Sequence, residues 1–258
     1  MNNTALITGA SSGIGSELAR IHAKNKGDLI LVARRMDRLE SLKTELESNY
    51  AVKVELIEMD LAVPGAGTKL VEMMQDRNIV IKYLFNNAGF GGYGEFIERD
   101  LKIDMEMIQL NVSTLVEISH GIANQMVKNG GGKILNTAST AGFLPGPLQA
   151  TYFATKAFVV SFSQALNQEL MNQGVSVTAL CPGPVQTEFI AVAGMTKSTI
   201  FKGAKTAAYT AQKGYNALMK NKIICISEPS LHFLINYMLW MLPRRIVLKM
   251  VERMQRIN

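Results

Sequence analysis

The stretch TALITGASSGIGSELARI, Thr4–Ile21, decides the fold. A short aliphatic run, a glycine-rich turn and a helix-like run follow one another without a break. Gly9, Gly13 and Gly15 give the spacing GxxxGxG. A turn this tight needs residues without Cβ, and bare backbone can approach a pyrophosphate closely. A helix beginning near Gly13 points free N–H groups and the positive end of its dipole at such an anion. Ser11 and Ser12 add hydroxyl donors. Gly9, Ser11, Ser12, Gly13, Ile14 and Gly15 are therefore candidate nucleotide contacts.

One strand–turn–helix unit is a weak signal, so its setting matters. Further short apolar runs read as buried strands at 29–33, 52–59, 83–86, 133–137, 175–180 and 223–226. Between most of them lie stretches with helical periodicity, at 36–49, 100–129 and 158–174, the last ending at Gly174 as a C-cap. This alternation predicts an α/β fold, a doubly wound parallel sheet of about seven strands with helices on both faces. No linker or repeat interrupts it, so one domain over 1–258 is expected. In such folds ligands bind beyond the carboxyl ends of the strands.

The composition excludes several classes. Of the 258 residues 48% are hydrophobic and 19% charged, and 27 basic against 21 acidic residues leave a net charge of +6. The basic residues are scattered without a nucleic-acid-binding motif, so no nucleic-acid partner is expected. The two cysteines and three histidines have no metal-ligand spacing, so no metal is expected. No signal peptide or spanning helix is read, which predicts a cytoplasmic protein.

The second strand runs into LILVARRMDRL, Leu29–Leu39. An acid at this point serves ribose hydroxyls, whereas Arg34 and Arg35 suit a 2′-phosphate. The pair predicts NADPH in preference to NADH.

TGASSGIG (Thr8–Gly15), NNAG (Asn86–Gly89), Ser139, YFATK (Tyr152–Lys156) and PGPVQT (Pro182–Thr187) occur in the order found in short-chain dehydrogenases/reductases. Over roughly residues 4–190 the chain resembles that family, in its group of about 250 residues. The resemblance implies hydride transfer between NADPH and a carbonyl or alcohol. It makes Asn111, Ser139, Tyr152 and Lys156 the catalytic set, with Lys156 also on the nicotinamide ribose and Asn111 anchoring a water in the proton relay. Asp60 and Leu61 would meet the adenine, Asn87, Ala88 and Gly89 would line the cofactor channel, and Pro182, Gly183, Val185 and Thr187 would reach the nicotinamide. It also implies a homodimer or homotetramer. Phe153 and Thr155 replace serines common in the family, at positions without a catalytic role.

The chemistry of the YxxxK pair agrees. A free tyrosine has a pKa of about 10, too high for ready proton exchange near neutrality. Lys156, one helical turn on, is expected to favour the tyrosinate, and Ser139 to hold the substrate oxygen. A second pair of equal spacing, Tyr209 and Lys213, lies far from the other motifs and reads as coincidence.

The loops 90–96 and 141–150 and a lid over about 186–215 offer Phe90, Tyr93, Phe143, Leu148, Phe189 and Met195, which suggests an apolar substrate. Arg99 is the one arginine at their edge, so no carboxylate clamp is visible. Acyl thioesters are an alternative substrate, and a non-catalytic NADPH sensor an alternative function. The segment 231–258 is apolar, then basic and amphipathic. It is expected to pack on a subunit or on the core, or to touch an anionic membrane surface.

Overall fold

In the computed structural model, residues 3–196, 198–238 and 241–256 are described. The chain runs β1 (Ala5–Thr8), α1 (Gly13–Lys24), β2 (Leu29–Ala33), α2 (Met36–Asn49), β3 (Val54–Glu58), α3 (Ala66–Asp76) and β4 (Tyr83–Asn86). It continues through α4 (Leu101–Ile108), α5 (Leu115–Lys128), β5 (Gly132–Thr137), α6 (Ala150–Leu170) and β6 (Val175–Cys181). The last part holds β7 (Val185–Gln186), α7 (Phe189–Val192), β8 (Lys205–Thr206), α8 (Ala207–Met219), β9 (Ile224–Ile226), α9 (Pro229–Phe233) and α10 (Arg244–Gln255).

Seven strands form one parallel sheet in the order β3-β2-β1-β4-β5-β6-β9. Every residue of β1 and β2 is buried, as both-face coverage requires. Successive side chains of a strand point to opposite faces, so each strand feeds two cores. Ile7, Leu31, Phe85 and Leu180 pack with Leu18 of α1, Leu39 of α2 and Leu218 of α8. Leu6, Ile30, Leu84 and Ile134 pack with Leu70 of α3 and Ile118, Ile122 and Met126 of α5. The fold is the predicted doubly wound, Rossmann-like one.

The chain order reverses between β1 and β4, and the crevice of such a sheet opens there. The two strand ends are tied together. Thr8 Oγ1 accepts from the backbone N–H groups of Asn87 and Ala88, each at 3.0 Å, and the Asn87 amide donates to the carbonyls of Thr8 and Gly9, each at 3.2 Å.

Two segments depart from the simple pattern. The helix predicted over 100–129 is broken by a π-helical turn, Gln109–Thr114, between α4 and α5. The stretch expected as a lid divides. Val185 to Phe201 contributes side chains to the crevice, whereas from Ala207 the chain is α8, whose Thr210, Ala211, Gly214 and Tyr215 are buried in the framework.

Candidate active site

The glycine turn is shaped by its neighbours. Gly9 has φ of +66°, and a Cβ on it would stand 2.9 Å from Ala88 Cα. A Cβ on Gly15 would stand 2.3 Å from the Gly9 carbonyl oxygen. Any larger residue would push the β1–α1 turn off the loop after β4. Ser12, at the N-cap of α1, makes no capping bond with its side chain. The start of α1 therefore keeps the polar character that suits a phosphate.

The turn forms one end of a cleft of about 880 Å³. Gly9, Ser11, Ser12, Gly13, Ile14, Arg34, Arg35, Asp60, Leu61, Asn87, Ala88 and Gly89 line it, as do Ser139, Tyr152, Lys156, Pro182, Gly183, Val185 and Thr187. Gly15 and Asn111 are not among its lining residues. Gly15 lies under the turn, and Asn111 is buried behind residues 89–90. The Asn111 amide donates to the carbonyl of Phe90 at 3.0 Å and to Thr155 Oγ1 at 3.1 Å, and its oxygen accepts from Phe90 N–H at 3.2 Å. Its side chain is thus engaged in holding the loop that carries Gly89. The π-helical turn places it there, one residue away from the register of α4.

At the end of β2 the two arginines differ. Arg35 Nη2 donates to Ser11 Oγ at 3.2 Å, to Ser12 Oγ at 3.0 Å and to Glu188 Oε2 at 2.7 Å. Arg34 is 72% exposed and stands 3.9 Å from Asp60. Glycine backbone, two hydroxyls and a guanidinium so placed fit a nucleotide carrying phosphates.

At the other end, Lys156 is buried and donates to the Thr137 carbonyl at 2.8 Å, with its ammonium 5.8 Å from the Tyr152 ring centroid. Burial lowers its pKa to about 8. Burial raises the Tyr152 pKa to about 12, against the hydrogen bond from Ser139, which lowers it. The expected depression of the tyrosine by the lysine is therefore reversed in the protein alone. Withdrawal from water penalises the phenolate more than its neighbours favour it. Ser139 Oγ also accepts from Ala141 N–H at 3.1 Å, which fixes it at the end of β5.

Tyr209 and Lys213 stand apart from the cleft. The Tyr209 hydroxyl donates to the Ser227 carbonyl at 3.3 Å, and the Lys213 ammonium lies 5.4 Å from its ring centroid.

Three supporting contacts escape a reading of the sequence. Arg99 pairs with buried Asp104 and donates to the Tyr93 carbonyl, while Thr151 donates to the other Asp104 oxygen at 2.9 Å. This ties the loop 93–99 to the residue before Tyr152, and the guanidinium holds the Asp104 carboxyl below its usual range. Buried Glu228 accepts from Gly183 N–H at 3.0 Å and braces the Pro182–Gly183 turn. Gln149 donates to Gln255 of α10 at 2.5 Å. The hints in sequence are lone charged or amide residues beside apolar runs.

The C-terminal segment packs on the core. Val247 and Val251 of α10 join Ala141 and Phe153, with Leu144, Tyr152 and Leu242 around them. Of that segment, Leu239, Trp240, Ile257 and Asn258 lie outside the described residues. Among the described residues no helix is long and apolar enough to cross a membrane.

Comparison with known proteins matches this arrangement to a group. The family model of the short chain dehydrogenases matches residues 3–198. A sulfoacetaldehyde reductase from Chromohalobacter salexigens is 36% identical over 194 residues, covering 74% of this chain and 76% of that protein. The human very-long-chain 3-oxoacyl-CoA reductase is 32% identical over 188 residues, covering 71% of this chain and 60% of its own length. A short-chain dehydrogenase from Sphingobium yanoikuyae, solved with NADPH, has a TM-score of 0.83 and 32% identity, covering 89% of each chain. The chain thus belongs to the short-chain dehydrogenase family, oxidoreductases of carbonyl and alcohol groups.

Proposed function

We propose that the protein is an NADPH-dependent reductase of an apolar ketone or aldehyde, with Tyr152 as the proton donor. One observation carries the reading. Ser139, Tyr152 and Lys156 converge at one end of a cleft whose other end holds the glycine turn and Arg35. NADPH, when bound, supplies the hydride. Gly9 and Ser11 to Gly13 would hold its phosphates, joined by Thr187, which stands against Gly13 although the family resemblance implied a nicotinamide contact for it, and Arg35 would hold its 2′-phosphate. Lys156 would meet the ribose, and Pro182, Gly183 and Val185 the nicotinamide. Ser139 and the Tyr152 hydroxyl hold the substrate oxygen, and the phenol gives it a proton as negative charge develops. A pKa of about 12 keeps that proton in place at neutral pH until the oxygen becomes basic enough to take it.

The apolar substrate follows from the walls, where Leu144, Phe153, Phe189, Val192, Met195 and Met250 line the cleft. A sulfonate, as in the relative's named substrate, would need a cation there. Arg99 is neutralised by Asp104, and Lys156 is committed to the chemistry. An acyl thioester is the second reading, favoured by the human relative's name and by Met250 and Met254 of α10 along the cleft.

The family is commonly oligomeric, and we assign the same to this chain. Leu101, Met105 and Ile108 form an exposed apolar stripe on α4, and Phe158 stacks on Phe162 on α6. A second copy would cover this face.

The test is NADPH oxidation against matched apolar ketones, aldehydes and 3-oxoacyl thioesters, for wild type and Tyr152→Phe. Turnover with at least one apolar class, reduced about a hundredfold or more in Tyr152→Phe while NADPH binding persists, is expected. Equal turnover in the variant would remove Tyr152 from the chemistry. NADPH binding without turnover of any substrate would leave a cofactor sensor instead.

A further inference from the structure

Glu188 occupies an unusual place for an acid. It stands at the N-cap of α7, between two residues that touch opposite ends of the cleft. Thr187 faces the glycine turn, where a Cβ on Gly13 would meet its Cγ2 at 3.0 Å. Phe189 lies against Tyr152, with ring centroids 5.4 Å apart. Glu188 itself reaches across the nucleotide end. Its Oε2 accepts from Arg35 Nη2 at 2.7 Å, and its Oε1 stands 3.6 Å from Arg38 Nη1. Ser12 also hydrogen-bonds the carboxylate. An anion is therefore already bound by one hydroxyl and a guanidinium of the kind that suits a phosphate.

We propose that Glu188 is an internal competitor for Arg35 and so a determinant of cofactor choice. The inference rests on the reading of Arg34 and Arg35 as the 2′-phosphate site. Two anions cannot share one guanidinium edge without repulsion, so a cofactor phosphate arriving at Arg35 displaces the carboxylate. A cofactor that bears only a hydroxyl at that position leaves the ion pair intact. Residues 187–189 are consecutive, so release of Glu188 also frees the turn that places Phe189 beside Tyr152. Phosphate recognition is thereby linked to the substrate end of the cleft.

The pair is about half exposed, so its strength is modest. Its loss should tighten NADPH binding by up to about fivefold, since an exposed ion pair contributes at most about 1 kcal/mol. The measurement is fluorescence titration of NADPH and NADH into wild type, Glu188→Gln and an Arg34→Ala/Arg35→Ala double variant, with calorimetric titration of 2′,5′-ADP as a readout independent of the nicotinamide. Glu188→Gln should tighten NADPH and 2′,5′-ADP and leave NADH unchanged. Unchanged or weaker NADPH binding in Glu188→Gln overturns the competitor role. The double variant tests the underlying reading separately, because it should lose the preference for NADPH. If it keeps that preference, the phosphate site lies elsewhere and the role of Glu188 falls with it. Far-ultraviolet circular dichroism confirms that each variant is folded before titration.

Discussion

Burial moves the two ends of the YxxxK pair in opposite senses. The Tyr152 phenol is pushed up to about 12, and the Lys156 ammonium down to about 8. Both shifts favour the neutral form, as removal of water must. For the carbonyl reduction proposed above a protonated tyrosine is the competent form, so its elevation does no harm across the neutral range. Lysine is the group that titrates within reach. Its charged form is present below about pH 8 and is lost above it. The ratio kcat/KM for NADPH reports the free enzyme. It should be level through neutrality and fall as pH rises through about 8, the loss following the lysine and not the tyrosine. Lys156→Arg keeps a cation at all accessible pH, so that descending limb should vanish even where the absolute rate drops. A limb that stays at the same pH in Lys156→Arg would assign the titration to another group.

At the scale of elements, α1 and α8 are joined through one buried imidazole. His22 Nδ1 lies 3.2 Å from the Tyr215 hydroxyl and Nε2 lies 2.9 Å from the Asn3 carbonyl. Its ring packs against Tyr83 and Phe85. Burial lowers its pKa below the ordinary histidine value, with the Asn3 carbonyl and Asp28 opposing. The unfolded chain therefore binds a proton at a pH where the folded chain does not. Stability is full above about pH 6.5, the ordinary histidine value, and falls as pH drops below it toward the depressed folded pKa. Urea midpoints measured from pH 7.5 to 5 should decline in wild type. In His22→Gln the protein should be less stable at neutral pH and flatter in this window, and an equal slope in both would clear His22 of the effect. The apolar runs that became the inner strands were legible because they are largely apolar on both faces, as β1 and β2 are throughout, whereas β3 at the sheet edge alternates and exposes Glu55 and Glu58. The π-helical turn at 109–114 was not, because Asn111 is held by Phe90 and Thr155 and by nothing in its own helix. Glu188 and Arg35 are separated by 153 positions, and Gly183 and Glu228 by 45, so no local pattern could pair them. The glycine turn could be read from its short spacing, whereas Ser139 and the Tyr152–Lys156 pair were singled out only by the order of all the motifs, since Tyr209 and Lys213 share the pair's spacing. The substrate walls could be read only as apolar, since which loops face each other is set by the sheet order.

Across the whole molecule, the apolar surface is unevenly distributed. The amphipathic face of α10 is used internally in part, since Val247 and Val251 cover Ala141 and Phe153 while Ile246, Met250 and Met254 stay exposed. Its basic residues, Arg244, Arg245, Lys249, Arg253 and Arg256, point to solvent. The stripe on α4 and Phe158 on α6 have no such cover from the described residues. Leu101 is 68% exposed, Met105 55% and Phe158 39%. A spacing of three and four residues keeps Leu101, Met105 and Ile108 on one side of α4, and Ala154, Phe158 and Phe162 do the same on α6. A contiguous apolar face of two helices is the form of surface that a symmetric partner buries. Tyr152 and Lys156, the proposed catalytic residues, lie on the inner side of the same α6, so a partner packed on its outer side would stiffen the helix that carries them. Sedimentation of the wild type should give a mass of two or four chains. Leu101→Glu combined with Phe158→Glu places like charges on both sides of a two-fold contact and should give monomers. Those monomers should retain NADPH binding, because the nucleotide end is built from β1, β2 and β4, and should lose thermal stability and some turnover. A double variant that sediments with the wild-type mass would place the contact on another face.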